Sequence, residues 1–282
     1  MPRSQILLLT ALAMLAFAGN SLLCRLALAG TNIDAGTFTA VRIVSGALTL
    51  WIIVQVRSGT RGLAGTWASA AALFAYAAGF SLAYINLSAA TGALLLFGAV
   101  QATMIGYGFW NGDRLRGWQI VGFVCAVLGL LALLLPGLSA PPLHSAALMV
   151  GAGIAWGIYS LRGRGAGDPT AATAGNFVRA VPFAAALSLA MLSRFSVDVA
   201  GVSYAIASGA LTSGVGYAIW YTALKGLKAT SAATVQLSVP VIATIGGALL
   251  LGEHVTARIV IASVAILGGI ALVILDRARV SG

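Results

Sequence analysis

The chain has 282 residues, of which 60% are hydrophobic and only 8% are charged, and its mean hydropathy is +1.00. Because soluble domains carry about 25% charged residues, this composition excludes a soluble fold of this length. The formal net charge of +10 fits either a nucleic-acid-binding protein or a membrane protein with basic loops, so the positions of the basic residues decide between the two.

Ten largely uncharged segments follow one another along the chain. A helix needs roughly 20 apolar residues to cross the hydrocarbon core of a bilayer. The predicted spans are residues 5–28, 35–56, 67–86, 91–110, 117–136, 144–162, 170–193, 200–223, 229–251 and 257–276. The first is too long for the apolar region of a signal peptide, roughly 7–15 residues, and lacks a clear cleavage site. The sequence therefore predicts an all-α integral membrane protein with ten transmembrane helices.

Basic residues are concentrated in alternate connections between these spans. Eleven of the 16 Lys and Arg residues fall on one side, namely Arg3, Arg57, Arg61, Arg114, Arg116, Arg162, Arg164, Lys225, Lys228, Arg277 and Arg279. By the positive-inside rule this side is cytoplasmic, and the connection Pro136–Leu143 lies outside. The sequence thus predicts a protein of the bacterial inner membrane with both termini in the cytoplasm, with the lipid bilayer as a partner and no nucleic acid.

The second half of the chain repeats features of the first at an offset of 137–140 residues. The aligned pairs include Gly19 with Gly157, Arg42 with Arg179, Tyr84 with Tyr221, and Gly112 with Gly252. Five spans per half is an odd number, so the second half enters the membrane from the opposite side. We therefore predict two inverted five-helix repeats, residues 1–138 and 139–282, an arrangement typical of transporters.

Aromatic residues recur every fourth position in two of the spans and so share a helical face. The candidates to line a cavity are Tyr76, Phe80 and Tyr84 in the third span, and Tyr217, Trp220 and Tyr221 in the eighth. Rings and hydroxyls together suit an aromatic or amphipathic solute. The alternative is that the tyrosines near span ends anchor the protein at the membrane interface. We favour the cavity for Phe80 and Tyr217, which lie nearer the middle of their spans.

Uncharged polar residues inside the spans add further candidates. Asn20, Gln101 and Gln236 would be costly facing lipid, so they are expected to face protein or water. They line the cavity or form hydrogen bonds between helices. In the sixth span, Trp156 and Tyr159 lie close to the repeat position of Gly19 and are added to the cavity set.

A proline and two arginines lie inside the spans. Pro240 in the ninth span removes one backbone hydrogen bond, which either bends the helix beside the cavity or shapes its packing. Arg42 and Arg179 each lie about 10 Å into their helices. Arg42 could meet a substrate carboxylate, but at that depth we favour snorkelling to the interface or structural pairing for both arginines.

Chemical machinery for catalysis is missing from the sequence. All six Asp and Glu residues lie near span ends, so no carboxylate proton relay is predicted inside the membrane. His144 and His254 lack metalloprotease spacing, and the two cysteines lie in apolar runs. We therefore expect no enzyme activity, no cofactor and no metal.

The whole chain resembles the drug/metabolite transporter superfamily, in its ten-helix form built from two EamA-type repeats. The residues that carry the resemblance are Tyr221-Thr-Ala-Leu-Lys225, Ala229-Thr230, Pro240-Val241 and Gly252-Glu253. Within the superfamily it is similar to the bacterial YddG-type exporters of aromatic amino acids. The resemblance implies a cavity lined by the first, third, fourth, sixth, eighth and ninth spans. The first half has Val100-Gln101 and Asp113 at the matching positions, which puts an equal gating role for the two halves in doubt.

The function expected from these features is export of small metabolites, most of all amino acids including aromatic ones. Transport would occur by alternating access around a central uncharged cavity, with the substrate as a small-molecule partner. The alternatives are an exporter of nucleotide-type or phosphate-ester solutes, which would require basic residues in the cavity, or a channel, which would require rings of like charge.

Overall fold

The structure, a computed structural model, describes residues 1–58, 63–112, 117–135, 140–163, 167–227 and 229–280, and within these ranges the secondary-structure elements are helices. The first seven helices are α1 (Arg3–Gly30), α2 (Ala35–Ser58), α3 (Trp67–Tyr84), α4 (Ala89–Trp110), α5 (Trp118–Leu134), α6 (Leu143–Arg162) and α7 (Pro169–Ala190). A short 3-10 turn, Leu192–Arg194, follows α7. Each of these seven helices lies at a predicted span.

The eighth and ninth predicted spans are each divided. The eighth consists of α8 (Val199–Ile206), a π-helical segment (Ala207–Val215) and α9 (Gly216–Leu224). The ninth consists of α10 (Ala229–Gln236) and α11 (Ser238–Leu251). The last helix is α12 (Ala257–Val280).

Eight helical stretches in the described ranges are long and apolar enough to cross a membrane. The helix Trp118–Leu134 is apolar but has only 17 residues, and Pro169–Ala190 is not among the eight. A multi-pass, all-helical membrane fold is thereby confirmed, while the count of ten spans stays a prediction. Asp113 and residues 136–139 of the predicted external connection lie outside the described residues, as do Arg61, Arg114, Arg116, Arg164 and Lys228.

Connections that were predicted to share a side of the membrane meet in the structure. At one end of the bundle, Arg57 Nη1 donates to Thr170 Oγ1 at 3.1 Å. At the other end, the backbone N–H of Asn32 donates to Asp198 Oδ2 at 2.9 Å. Hydrogen bonds from the N–H groups of Asn32 and Gly201 lower the pKa of Asp198. Which end faces the cytoplasm stays a prediction.

Glycine permits close helix contacts at two crossings. A Cβ atom on Gly122 in α5 would lie 2.4 Å from the carbonyl oxygen of Gly269 in α12. A Cβ on Gly209 in the π segment would lie 2.0 Å from Ser45 Oγ and 2.2 Å from the Arg42 carbonyl oxygen of α2. Small residues allow such approach where lipid provides no hydrophobic drive between helices. The second crossing holds the π segment directly against the helix that carries Arg42.

Helices at equivalent positions of the two predicted repeats contact each other. The second and seventh spans, α2 and α7, pack together, and so do the fifth and tenth, α5 and α12. The contact between the third and sixth spans, α3 and α6, has its counterpart in the contact between the eighth and first, α9 and α1. A two-fold relation between the halves would produce these pairs. The division into residues 1–138 and 139–282 stays a prediction.

Candidate substrate cavity

An internal cavity of about 820 Å³ lies between α1, α3, α4, α6, α7, the π segment, α9, α10 and α12. Gly163, which is exposed in the connection after α6, lines the mouth of the cavity, and we call this the Gly163 end. At the inner end, Phe80 and Ser21 line the cavity and are at most 1% exposed. Its size lies within the range of small-molecule sites, roughly 300–1,000 Å³.

Ten of the eleven residues proposed from the sequence to form the cavity do line it. They are Asn20, Tyr76, Phe80, Gln101, Trp156, Tyr159, Tyr217, Trp220, Tyr221 and Gln236. They come from six spans that are distant in the sequence: the first, third, fourth, sixth, eighth and ninth. Their role in binding a substrate stays a prediction.

Tyr84 is the exception, because it does not line the cavity. Its side chain is 0% exposed and packs edge-on against Phe80 with ring centroids 4.7 Å apart. The lack of a side chain on Gly92 makes room for it, since a Cβ there would lie 2.4 Å from the Tyr84 ring. The α3 stripe therefore continues past the inner end of the cavity into packed protein, and Tyr84 closes that end.

Trp156 joins the two aromatic stripes into one surface. Its ring lies 4.7 Å from the Tyr76 ring and 5.3 Å from the Tyr217 ring, centroid to centroid, and is stacked on the latter at 24°. It also stacks on Tyr159 at 5.2 Å. Phe17 of α1, which the sequence did not single out, extends the surface by contacting Tyr217 at 5.7 Å. The cavity thus has a continuous aromatic wall.

A polar cluster around Asn20 forms part of the inner cavity. Asn20 Nδ2 donates to the Tyr76 hydroxyl at 3.2 Å, and its Oδ1 accepts from Ser208 Oγ at 2.7 Å and Thr212 Oγ1 at 3.3 Å. Ser213 lines the cavity beside them. Asn20 therefore has its amide satisfied by α3 and the π segment while it borders the cavity.

The π winding explains how three hydroxyls reach this cluster. Ser208, Thr212 and Ser213 are spaced at i, i+4 and i+5, and the wide turn of a π-helix brings such positions onto one face. Sequence reasoning missed the π segment, although the concentration of Ser, Thr and Gly in ASGALTSGVG (207–216) was a visible signal. Segments of this kind occur frequently at functional sites.

A second polar cluster lies toward the Gly163 end. Tyr159 donates to Thr173 Oγ1 at 3.2 Å, and Thr173 donates to the Tyr221 hydroxyl at 3.1 Å. Asn176 Nδ2 also donates to Tyr159 at 3.4 Å. Thr173 and Asn176 line the cavity and were missed from the sequence, although Asn176 is an amide inside a predicted span and meets the criterion that selected Asn20.

The two in-span arginines have different environments. Arg179 Nη1 donates to the Ala64 carbonyl oxygen at 2.9 Å in the α2–α3 connection, so this side chain extends to the end of the bundle as expected. Arg42 does not snorkel, because it is only 1% exposed. Its Nη2 donates to the Tyr76 hydroxyl at 2.9 Å, and the guanidinium lies 5.2 and 5.0 Å from the ring centroids of Tyr76 and Phe80.

The ninth span is interrupted near Pro240. Helix α10 ends at Gln236, the N–H of Leu237 bonds to the Thr234 carbonyl at 3.1 Å, and α11 begins at Ser238. Pro240 therefore lies in the first turn of α11, where helical N–H groups lack intrahelical partners and proline is tolerated. The break adjoins Gln236, which lines the cavity.

An ion pair closes the bundle beyond the inner end of the cavity, which we call the Arg25 end. Arg25 Nε donates to Glu253 Oε1 at 3.1 Å, and Arg25 Nη1 donates to the carbonyls of Tyr84 and Ile85 at 3.0 and 2.9 Å. Glu253 Oε2 accepts the backbone N–H of Ala89 at 2.8 Å. Two side chains thus connect α1, the end of α3, the start of α4 and the connection that follows α11.

An all-helical, multi-pass bundle with a small-molecule cavity that opens at one end defines a membrane transporter class, and comparison with known proteins agrees. Residues 144–275 match the model of the EamA-like transporter family. The chain is 58% identical over 278 residues to the uncharacterized protein PA1977 of Pseudomonas aeruginosa, covering 98% of this chain and 97% of that one. Residues 144–275 therefore belong to the EamA-like transporter family, and the predicted resemblance of the chain to the drug/metabolite transporter superfamily is confirmed.

More distant matches cover part or all of the chain. The threonine/homoserine exporter RhtA of Escherichia coli K12 is 35% identical over 146 residues, which is 49% of this chain and 48% of RhtA. The RhtA protein of Salmonella typhimurium LT2 is 34% identical over 157 residues. A solved crystal structure matches 99% of this chain and 100% of its own with a TM-score of 0.68 at 19% identity, which shows the fold alone.

Proposed function

We propose that the protein exports amino acids, including aromatic ones, from the cytoplasm across the bacterial inner membrane by alternating access. The observation that carries the proposal is a cavity with one open end and one closed end. The RhtA relatives, which export threonine and homoserine by name, support amino acids as the substrate class. Aromatic specificity rests on the residues that line the cavity.

Alternating access is supported by the way the closed end is built. Arg25 belongs to the first predicted repeat and Glu253 to the second, so their ion pair joins the two halves at the Arg25 end. The Gly163 end is open to the surface. By the distribution of basic residues this open end is cytoplasmic, and the structure then corresponds to a state that loads substrate from inside.

Aromatic amino acids suit the chemistry of the cavity wall. Rings stacked or tilted against Trp156 and its neighbours present faces and edges that favour another ring, with about 0.5–1.5 kcal/mol per aromatic pair beyond surface burial. Gln101, Asn20 and the tyrosine hydroxyls provide hydrogen-bonding groups for the polar part of the substrate. An amphipathic solute can satisfy both surfaces at once.

Transport by purified protein in proteoliposomes tests the proposal directly. We expect saturable uptake and trans-stimulated counterflow of phenylalanine, tryptophan and threonine, measured with and without imposed proton and potential gradients. A carrier gives trans-stimulation, because substrate returns the cavity to the opposite side, whereas a channel gives neither saturation nor counterflow. Transport of phosphate esters or nucleotides with no amino-acid transport would overturn the assignment.

Replacing Phe80 or Tyr217 with Leu should reduce counterflow of phenylalanine about two- to tenfold, because each change removes one ring from the cavity wall. Threonine transport should change less. Phe74→Leu is the matched control, since Phe74 lies on α3 but stacks on Phe183 at 5.7 Å, away from the cavity. Equal phenylalanine transport by all three variants and wild type would show that these rings serve packing alone.

A further inference from the structure

Arg42 is a buried cation with no carboxylate partner among the side chains that the structure describes. The side chain is 1% exposed, and one of its guanidinium nitrogens, Nη1, has no hydrogen-bond partner in the described part of the chain. A charge inside a membrane protein is costly and normally pairs or marks a substrate pathway. Its contacts to Tyr76 and Phe80 supply polar and cation–π stabilisation but no negative charge.

Four carboxylates, those of Asp34, Asp168, Asp198 and Glu253, are engaged at helix ends. Asp34 accepts from the N–H groups of Gly36 and Thr37, and Asp168 caps α7. Asp198 caps α8, and Glu253 pairs with Arg25. None of them forms an ion pair with Arg42, so the counter-charge has to come from outside this set.

Hydrogen-bond donors around Arg42 converge on the inner cavity. The Tyr76 hydroxyl accepts from Arg42 and from Asn20, and both of those groups are donors, so neither contact uses the hydroxyl's own proton. Ser213 follows Thr212 of the Asn20 cluster in the chain and also lines the cavity; it is 1% exposed, and its Oγ has no hydrogen-bond partner within the described residues. The Tyr76 and Ser213 hydroxyls thus each have a proton to donate, and a cation lies behind Tyr76.

We propose that the carboxylate of the transported solute binds at the Asn20–Tyr76–Ser213 end of the cavity and that Arg42 supplies its counter-charge. The carboxylate oxygens accept from the Tyr76 and Ser213 hydroxyls, and the guanidinium behind Tyr76 balances the charge. The inference rests on the proposed function for the choice of an amino acid, but it concerns the carboxylate alone. The side chain of the solute then lies along Trp156, toward the Gly163 end.

Basic groups at the cavity mouth fit the same charge preference. A smaller cleft of about 190 Å³ shares Pro169 and Tyr221 with the cavity, and it is lined by two basic residues, Arg57 and Lys225, and one carboxylate, Asp168. An excess of one sign of charge around a cleft raises the local concentration of the opposite ion. An anionic group thus meets positive charge both at the mouth and at the inner end.

Comparing the affinity for an acid with the affinity for its amide isolates the contribution of the carboxylate to binding. Binding to the purified wild-type protein is measured by tryptophan fluorescence with three ligands. L-phenylalanine carries both charges, L-phenylalaninamide only the ammonium group, and 3-phenylpropionate only the carboxylate. We expect the two carboxylates to bind about ten- to a hundredfold more tightly than the amide, as is usual for hydrogen bonds to a charged group. Equal affinity of acid and amide would overturn the proposal.

Variants then assign the preference to Arg42. Arg42→Gln should bring the ratio of acid to amide affinity close to one, Arg42→Lys should retain most of it, and Ser213→Ala should reduce it severalfold. A ratio within one sample does not depend on the amount of folded protein, so partial misfolding does not imitate the result. Arg179→Gln is the matched control and should keep the wild-type ratio.

The outcomes separate the two proposals. If phenylpropionate binds through Arg42 but no amino acid is transported, the substrate assignment is wrong and the carboxylate site stands. If amino acids are transported but Arg42→Gln has the same ratio of acid to amide affinity as wild type, the proposed export function stands and the proposed carboxylate site is wrong. If no carboxylate binds to wild type, the carboxylate site is wrong as well.

Discussion

Glu253→Gln should open the Arg25 end of the bundle. The substitution removes the negative charge that holds Arg25 and leaves a single carbonyl acceptor to be shared with the Ala89 N–H. Hydrogen bonds to charged groups contribute about 1.5–3 kcal/mol each, and a change of 1.4 kcal/mol alters the ratio of two states about tenfold. We expect the population open at the Arg25 end to rise by roughly that factor.

Accessibility of Ser21 measures this opening. Ser21 lines the inner end of the cavity and is 1% exposed, so Ser21→Cys, with Cys24 and Cys125 replaced, is expected to react slowly with a membrane-impermeant thiol reagent added outside. In the Glu253→Gln background the labelling rate should rise about tenfold. The same reagent applied from the cytoplasmic side should label more slowly than in the parent protein.

Asp198→Asn serves as the control for loss of a carboxylate at the same end of the bundle. Asp198 contacts the α1–α2 connection and caps α8, but it does not touch the cavity, and asparagine is an equally good helix cap. Labelling of the cysteine should not change. Faster labelling from the cytoplasmic side instead of the outside would show that the predicted orientation is reversed, and no change from either side would show that the ion pair only orders loops.

Pro240→Ala should make the ninth span more continuous and slow transport. Alanine restores an N–H that can donate to the Gln236 carbonyl across the break at Leu237, and it lacks the proline ring that would clash with that carbonyl in a continuous helix. The break adjoins the cavity, so stiffening it should hinder the change between the two open states. We expect a severalfold lower maximal counterflow rate with little change in half-saturating concentration, because no contact to the substrate is removed.

Counterflow kinetics with a matched variant test this prediction. Val241→Ala removes a similar volume from the adjacent position, whose side chain is 45% exposed on the outside of α11, and should transport at the wild-type rate. Cysteine labelling from both sides should show Pro240→Ala biased to one state. Normal rates and an unchanged labelling pattern would mean that Pro240 fills a packing position and has no part in the conformational change.

Proline alone does not determine where such a break occurs. Pro182 lies inside α7, which nevertheless runs without interruption from Pro169 to Ala190, whereas the ninth span is broken three residues before Pro240. Both prolines remove one backbone hydrogen bond. Whether the helix breaks depends on how neighbouring helices and side chains satisfy the freed carbonyl. The local sequence does not show which neighbours these are.

The sequence by itself determined the membrane class, the approximate position of each helix and ten of the residues that line the cavity. These properties follow from local quantities: the length and hydropathy of a run, and a spacing of four that places Tyr76 and Phe80 on one helical face. The cost of exposing amides to lipid likewise indicated Asn20 and Gln101. Each of these arguments needs only the residue and its helix.

The tertiary structure determined which residues each helical face contacts. Tyr84 continues the α3 stripe, yet Gly92 of the next helix gives its ring a packed site beyond the cavity. Arg42 and Arg179 occupy equivalent positions in the predicted repeats, but the first is buried against Tyr76 and the second extends to Ala64. Their depth in the helix is similar, so the neighbouring helices make the difference.

The closed end and the inner polar cluster depend on contacts between distant parts of the chain. Arg25 and Glu253 are 228 residues apart, and Asn20 meets Ser208 at a separation of 188 residues. Hydropathy and periodicity indicate which residues avoid lipid, but they do not indicate which residues these will contact. A buried charge or amide lowers its free energy only where another helix presents the complementary group, and that match exists only once the bundle has assembled.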